Sequence, residues 1–282
     1  MPADFYESRN IGVALYHYTI DGTDYIDDFG KTVSYEEFYG KIAAGSETKT
    51  AQVNIAEFQD FFRPYLEKGL DVVHLCFSSG LSGSYNSARN AAAMLIDEFP
   101  DNRVYVVDSL AASGGFGLLV DAAADKRDEG LSAIELAEWV NENKLRVHHW
   151  FFSTDLSTYV RGGRISKAAA IFGGALEICP LLNMNNLGQL IPREKIRTKK
   201  RVIKAIVQKM EENADDGLAY SGKCIITHSN CYDDAKTVAD MVEEKFPKLN
   251  GKVRINWIGT TIGAHTGPST VALFFFGKKR ED

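Results

Sequence analysis

The stretch VVHLCFSSGLSGSY, residues 72–85, shows most clearly how this chain folds. Residues 72–77 form a short apolar run that is typical of a buried strand. Serines and glycines follow at 78–84, and an alanine-rich helix is predicted from about Ser87 to Ile96. A buried strand that leads through a polar loop into a helix is a building unit of α/β proteins.

The same alternation continues on both sides of this stretch. Downstream, a strand at Val104–Asp108 leads through the loop 109–117 into a further helix. Upstream, the alternating run Gly12–Ile20 meets Asp21-Gly22, a pair that suits the positive φ angles of a hairpin turn. The chain is therefore predicted to be an α/β protein.

A change of pattern after residue 150 predicts two domains. The later part has a turn-rich segment, Asn183–Gly188, between the strand-like runs 176–182 and 189–195. We expect an N-terminal α/β domain at residues 1–150 with a largely parallel sheet, and a C-terminal α/β domain at residues 151–282 with a mixed sheet. A length of 282 residues suits this division, since domains average about 150 residues.

Composition argues against several classes of function. The 32 basic and 38 acidic side chains give a net charge of −6, which disfavours nucleic-acid binding. No segment approaches the roughly 20 apolar residues of a membrane-spanning helix, and residues 1–10 lack the apolar stretch of a signal peptide. The 4 cysteines form no CxxC pair, so they are expected to be buried thiols of a cytoplasmic protein.

The loop 78–84 is the strongest candidate for a ligand site. Hydroxyls, glycines and backbone N–H groups at the start of a helix favour an anion such as a carboxylate or phosphate. In the alternative interpretation the serines only cap the helix and the glycines only turn the chain. The loop lacks the lysine of a GxxxxGK[ST] phosphate-binding loop, so nucleotide hydrolysis is unsupported.

A serine hydrolase is a second interpretation of this loop. Gly80-Leu81-Ser82-Gly83 is one residue short of the GxSxG turn that exposes a nucleophile. Ser82 could act on lipid esters together with His265 and Asp108. His265 lies in the segment 259–268, which is rich in Gly and Thr and is predicted to be a loop.

No metal site is predicted. His148 and His149 are adjacent on a predicted strand, where they would face opposite sides of the sheet.

The basic segment around Arg161-Gly162-Gly163-Arg164 also has two interpretations. It is either a capped helix end whose cations offset the helix dipole or a cationic docking surface that Arg197 would extend.

Taken in order, these motifs resemble those of the DegV family, which includes the fatty-acid-binding subunits of bacterial fatty acid kinase. The resemblance runs over nearly the whole chain. The matching stretches are Lys49-Thr50-Ala51-Gln52, Ser78-Ser79-Gly80-Leu81-Ser82-Gly83-Ser84-Tyr85, Val107-Asp108-Ser109, Arg161-Gly162-Gly163-Arg164-Ile165, Lys195-Ile196-Arg197 and Gly263-Ala264-His265-Thr266-Gly267-Pro268.

The resemblance implies a two-domain protein that buries a long-chain fatty acid in the cleft between its domains. It further implies that the protein has no catalysis of its own, needs no cofactor, and presents the carboxylate to a separate kinase for acyl-phosphate formation. Carried onto this chain, the carboxylate ligands would be Thr50, Ser82 and His265, with a backbone donor from Gly83. The basic residues Arg164 and Arg197 are expected to dock the kinase, because positive charge can steer an acidic partner.

Two departures from the family pattern are visible. Ala51 stands where the family usually has a serine, so one hydroxyl of the carboxylate site is absent. The chain begins at Met1-Pro2-Ala3-Asp4-Phe5, where the first turn of the family would be ending. We therefore expect the first domain to lack its N-terminal strand and Met1 to be an internal methionine.

A binding module for another amphiphilic acid is a third interpretation of the function.

Overall fold

The computed structural model of the chain describes residues 1–166 and 178–281. The helices in these residues are α1 (Ala3–Ser8), α2 (Tyr35–Ala43), α3 (Ile55–Leu66), α4 (Ser84–Leu95), α5 (Ser113–Asp128), α6 (Ala133–Asn143), α7 (Ser157–Arg161), α8 (Lys199–Asn213), α9 (Tyr232–Lys245) and α10 (Thr260–Thr266). The strands are β1 (His17–Ile20), β2 (Thr23–Ile26), β3 (Thr48–Ala51), β4 (Val72–Cys76), β5 (Val104–Asp108), β6 (Val147–Ser153), β7 (Ile178–Met184), β8 (Leu190–Arg197), β9 (Ile225–His228), β10 (Arg254–Trp257) and β11 (Thr270–Phe276). Helices and strands alternate along the chain, which confirms the predicted α/β class.

The largest sheet in the described residues is mixed and has six strands, in the order β10-β9-β11-β6-β7-β8. The part of the chain that begins with β6 is called the C-terminal half below. Its β10 and β9 strands are parallel, whereas β11 runs antiparallel to both of its neighbours. The expected boundary at residue 150 falls inside β6, and every residue of β6 pairs with β11. Of the predicted run 176–182, residues 176 and 177 lie outside the described residues.

The part of the chain before β6, called the N-terminal half below, does not have the largely parallel sheet that we expect from the sequence. Its first three strands form an antiparallel sheet, β2-β1-β3, in which a two-residue hairpin turn joins β1 and β2. Both turn residues have positive φ, 49° at Asp21 and 83° at Gly22, as predicted. Among the described residues, β4 pairs only with β5, in parallel. The strand predicted over Gly12–Ile20 is shorter than expected and begins at His17.

One apolar core connects the two halves. On α5, Leu118 and Leu119 are 1% and 0% exposed and belong to the same cluster as Phe151 of β6 and Phe274 of β11. Burial of a leucine side chain contributes about 1.5–3 kcal/mol. Helix α5 follows β5 of the N-terminal half but packs on the six-stranded sheet. It therefore fixes the position of the two halves relative to each other.

Asn54 and Ser132 each stand three residues before a glutamate, a spacing that predicts a capping box at a helix start, and the structure has both. The Asn54 side chain accepts a hydrogen bond from the Glu57 N–H, and the Glu57 carboxylate accepts one from the Asn54 N–H. Ser132 and Glu135 make the same reciprocal pair at the start of α6. Local sequence alone thus determines where α3 and α6 begin.

No helix within residues 1–166 and 178–281 is both long enough and apolar enough to cross a membrane. All 4 cysteines carry free thiols.

Candidate functional site

A cavity of about 470 Å³ lies between the N-terminal half and the inner face of the six-stranded sheet. The sheet contributes an apolar wall that includes Phe151, Ala272 and Phe274. The polar residues that line the cavity include Thr50 and Gln52 at the end of β3, Ser82 in the loop after β4, and His265 in the helix α10. The cavity therefore offers both a polar region and an apolar one to a ligand.

Thr50 and His265 are in direct contact in this cavity. The Thr50 hydroxyl lies 2.7 Å from Nε2 of His265. In the described part of the chain, Nδ1 of His265 is buried and has no hydrogen-bond partner. Burial, with a contribution from the nearby charge of Arg164, lowers the pKa of His265 to about 4. At neutral pH the imidazole is therefore uncharged, with one ring nitrogen that donates and one that accepts.

The segment that carries His265 is a helix and not the loop predicted from its composition. In α10, a Cβ on Gly263 would lie 2.5 Å from the Tyr39 hydroxyl oxygen and 2.8 Å from the Phe38 ring, so only glycine allows this close packing on α2. The Thr48 hydroxyl of β3 donates to the Ala264 carbonyl over 3.3 Å. Tertiary packing on both sides thus stabilises a helix that local propensity disfavours.

The Ser82–Gly83 pair lies at the N-terminus of α4, which begins three residues before the predicted start. The Ser82 hydroxyl oxygen is 3.0 Å from that of Ser84 and accepts a hydrogen bond from the Ser84 N–H over 3.2 Å. Gly83 is the capping residue, and a Cβ there would lie 2.2 Å from the side-chain oxygen of Gln52. A helix N-terminus with hydroxyls beside it suits a bound anion.

The turn between β7 and β8 holds this loop in place. The buried Ser78 hydroxyl donates to the Gly188 carbonyl over 2.8 Å, and the Gly80 N–H donates to the Ser78 hydroxyl over 3.2 Å. Gly188 has a φ of +71°, and a Cβ on it would lie 2.1 Å from the Ser78 hydroxyl oxygen. The C-terminal half of the chain therefore positions the loop 78–84 of the N-terminal half.

The two basic residues expected to dock a partner lie in different environments. Arg164 lines the cavity, is half-buried, and donates to the Gly162 carbonyl over 2.6 Å and to the Leu81 carbonyl over 3.2 Å. Arg197 ends β8 and is exposed. Arg164 is thus part of the cavity wall, whereas Arg197 belongs to the outer surface.

The residues of the hydrolase interpretation do not form a catalytic triad. The Asp108 carboxylate accepts hydrogen bonds from the N–H groups of Ser79 and Leu110, each over 3.1 Å. The imidazole of His265 contacts Thr50, and the Ser82 hydroxyl contacts Ser84. A triad would need His265 to bridge Ser82 and Asp108.

The adjacent histidines of β6 have separate partners. His148 donates to the Lys278 carbonyl over 2.7 Å, whereas His149 donates to the Val147 carbonyl and accepts from the Ala112 N–H. Within residues 1–166 and 178–281, no group of three or more His, Cys, Asp or Glu side chains could hold a metal ion.

Sequence reasoning missed several residues of the cavity. Gln52, His149 and Tyr16 all line it. Gln52 stands in the same motif as Thr50, but the other two carried no signal, since each lies on an ordinary strand-like run.

A second cavity of about 810 Å³ lies between β4 and α5, and Tyr16, Phe77 and Ile262 are among the residues that line both cavities.

Comparison with known proteins identifies the family. The family described as "Uncharacterised protein, DegV family" matches residues 1–278. A DegV domain-containing protein of Clostridium perfringens is 38% identical over 265 residues, which cover 93% of this chain and 89% of that protein.

Solved structures agree with this match. A structure described as fatty acid binding of a DegV family protein from Thermus thermophilus is 25% identical, with a TM-score of 0.86 over 99% of this chain and 96% of the other. The fatty acid kinase B3 protein of Streptococcus pneumoniae, loaded with linoleic acid, is 21% identical, with a TM-score of 0.82 over 94% of this chain and 90% of the other. At that identity the second likeness shows the fold alone. From the family match and the Clostridium relative together, this chain belongs to the DegV family.

Proposed function

We propose that this protein is a carrier that buries a long-chain fatty acid and holds its carboxylate at Thr50, Ser82 and His265, with the Gly83 N–H as a backbone donor. The observation that carries the proposal is a cavity that combines a helix N-terminus and hydroxyl groups with an apolar wall. Fatty acid binding by the Thermus thermophilus relative supports it.

The two parts of the cavity would contribute differently to binding. Each buried CH₂ group stabilises the complex by about 0.8 kcal/mol, so the acyl chain would supply most of the affinity. Hydrogen bonds to the charged carboxylate would fix which end of the ligand meets α4. The neutral His265 imidazole supplies one N–H donor without adding a buried charge.

We further propose that a separate kinase phosphorylates the bound carboxylate, and that this chain has no catalysis of its own and needs no cofactor. The likeness of fold to the fatty acid kinase B3 protein supports this step. Arg197, exposed at the end of β8, and Arg164, at the cavity wall, are the proposed docking residues.

Mass spectrometry of lipid extracted from the purified protein tests the proposal. We expect one long-chain fatty acid per chain in the wild-type extract and much less in the extract of the Ser82→Ala variant. Recovery of a different amphiphilic acid would favour the third interpretation of the sequence. Turnover of a chromogenic lipid ester that Ser82→Ala abolishes would favour the hydrolase and contradict the carrier.

A further inference from the structure

The two cavities of this protein lie side by side and share one wall. The first cavity, of about 470 Å³, contains the proposed carboxylate ligands, and the second, of about 810 Å³, lies between β4 and α5. Among the described residues, those that line both cavities are Tyr16, Phe77, Ser113, Thr261 and Ile262. These residues therefore form the wall between the two cavities.

Phe77 and Tyr16 are the aromatic residues of this wall, and their rings are in contact. They meet edge to face, with 6.3 Å between ring centroids and 68° between ring planes. The residue after Phe77 is firmly anchored, because the Ser78 N–H donates to the Ala111 carbonyl over 3.1 Å and the Ser78 hydroxyl donates to the Gly188 carbonyl over 2.8 Å. The backbone thus holds the Phe77 ring in place between the two cavities.

The second cavity offers an apolar environment beyond this wall. It is lined mainly by apolar side chains, which include those of Phe58, Phe61 and Leu136. An acyl chain whose carboxylate is held at Ser82 and His265 would extend through the first cavity toward the shared wall. Each further CH₂ group that is buried strengthens binding about fourfold, so a chain that passed the wall would bind more tightly than one that ends at it.

We propose that Phe77 is a specificity-determining residue that limits the length of the bound acyl chain, because its ring closes the path from the first cavity into the second. This inference rests on the proposed function and adds to it which acids are preferred. Acids whose chains end at the wall use the whole first cavity, and longer acids gain no further affinity.

The variant Phe77→Ala tests the inference, because it removes the ring without removing a hydrogen-bonding group. Displacement of a bound fluorescent fatty acid by saturated acids, from decanoic to docosanoic acid, gives affinity as a function of chain length. In the wild type we expect affinity to rise about fourfold per CH₂ group up to a limiting chain length and then to stop rising. In Phe77→Ala the limit should move by about two CH₂ groups or more, so the longest acids should bind at least roughly tenfold more tightly than to the wild type.

Phe99→Ala is the matched control for the loss of a phenylalanine ring. Phe99 is half-buried, as Phe77 is, but its ring packs against the Arg63 guanidinium, 5.7 Å from the ring centroid, and it lines neither cavity. Its substitution should leave the limiting chain length unchanged. Thermal melting shows whether each variant is folded. If Phe77→Ala is unfolded, Phe77→Leu removes less volume and should move the limit in the same direction by a smaller amount.

Two results would overturn the inference. One is a limiting chain length that is the same in the wild type and in the folded Phe77 variant. The other is a wild-type affinity that rises steadily through docosanoic acid, which would mean that the wall does not stop the chain. A wild-type protein that binds none of these acids would instead overturn the proposed function itself.

Discussion

Three glycines of the site are explained by the side chains that occupy the space of their missing Cβ. A Cβ on Gly162 would lie 2.5 Å from Nδ1 of His265, and one on Gly83 would lie 2.2 Å from the side-chain oxygen of Gln52. Gly263 allows the same kind of close approach between α10 and α2. All three have negative φ angles, so space and not backbone conformation requires glycine here. These glycines let the polar groups of the cavity approach one another.

The proposed carboxylate ligands can be tested one at a time. Thr50→Val, Ser82→Ala and His265→Ala should each weaken fatty acid binding by about 1–3 kcal/mol, because each removes a hydrogen bond to a charged group. Isothermal titration with palmitic acid measures the loss, and thermal melting checks that each variant is folded. Ser79→Ala is the control, since Ser79 is exposed and does not line the cavity. Unchanged binding in all three variants would show that the carboxylate is held elsewhere.

Arg197 provides a test of partner docking that is separate from lipid binding. Arg197→Glu should lower acyl-phosphate formation by a fatty acid kinase several-fold, because reversing a surface charge weakens electrostatic association. Fatty acid binding should be unaffected, since Arg197 does not line the cavity. Phosphorylation is measured with ATP and a purified kinase subunit, and Lys68→Glu, an exposed charge reversal beyond α3, is the control. A loss of lipid binding in Arg197→Glu would instead make this residue structural.

At the scale of elements, the turn between β7 and β8 and the loop after β4 depend on each other. Ser78 is 0% exposed and bonds both to the Gly188 carbonyl and to the Gly80 N–H. The turn comes from the C-terminal half and the loop from the N-terminal half. The geometry of the proposed carboxylate site thus depends on a contact between residues that are about a hundred positions apart.

Ser78→Ala should therefore destabilise the protein. It leaves a buried carbonyl and a partly buried N–H without these partners, which costs about 1–3 kcal/mol in the free energy of unfolding. Urea denaturation followed by circular dichroism measures the change. The neighbouring exposed residue gives a control, Ser79→Ala, which should stay within about 0.5 kcal/mol of the wild type. Equal stability of the two variants would contradict the role assigned to this contact.

Across the whole molecule, histidines in the interior link stability to pH. Burial lowers the pKa of His148 and of His265 to about 4, and it holds the pKa of His149 well below its ordinary value. In the unfolded chain a histidine has a pKa near 6.5. The unfolded state therefore binds more protons than the folded state between about pH 6.5 and pH 4. Stability is complete above this range and falls as the pH decreases through it.

His148→Gln should reduce this pH dependence. Glutamine does not titrate, and its amide can still donate to the Lys278 carbonyl that His148 contacts. We expect the slope of unfolding free energy against pH to fall by up to about 1.4 kcal/mol per pH unit between pH 6.5 and 4, which corresponds to one proton. Urea denaturation at several pH values gives both slopes. Identical slopes would mean that His148 is protonated in the folded protein as readily as in the unfolded one.

Several features of the fold follow from short stretches of sequence. The Asp21-Gly22 turn, the capping boxes of α3 and α6, and the strands Val72–Cys76 and Val104–Asp108 all form where their local patterns predict. Each depends on interactions between residues that are close in the chain, such as a side chain that caps the N–H three positions later. The α/β class follows because the order of such elements is itself a local property.

Tertiary structure alone decided how the site is assembled. Residues 259–268 look like a loop by composition, yet packing against α2 and β3 makes 260–266 a helix that brings His265 to Thr50. Every residue of β6 pairs with β11, so the whole of β6 belongs to the six-stranded sheet, although the pattern of the sequence changes at residue 150. The contribution of Tyr16 to the cavity had no local signal either. Contacts between residues that are far apart in the chain depend on the complementary shapes of whole elements, which no short stretch of sequence contains.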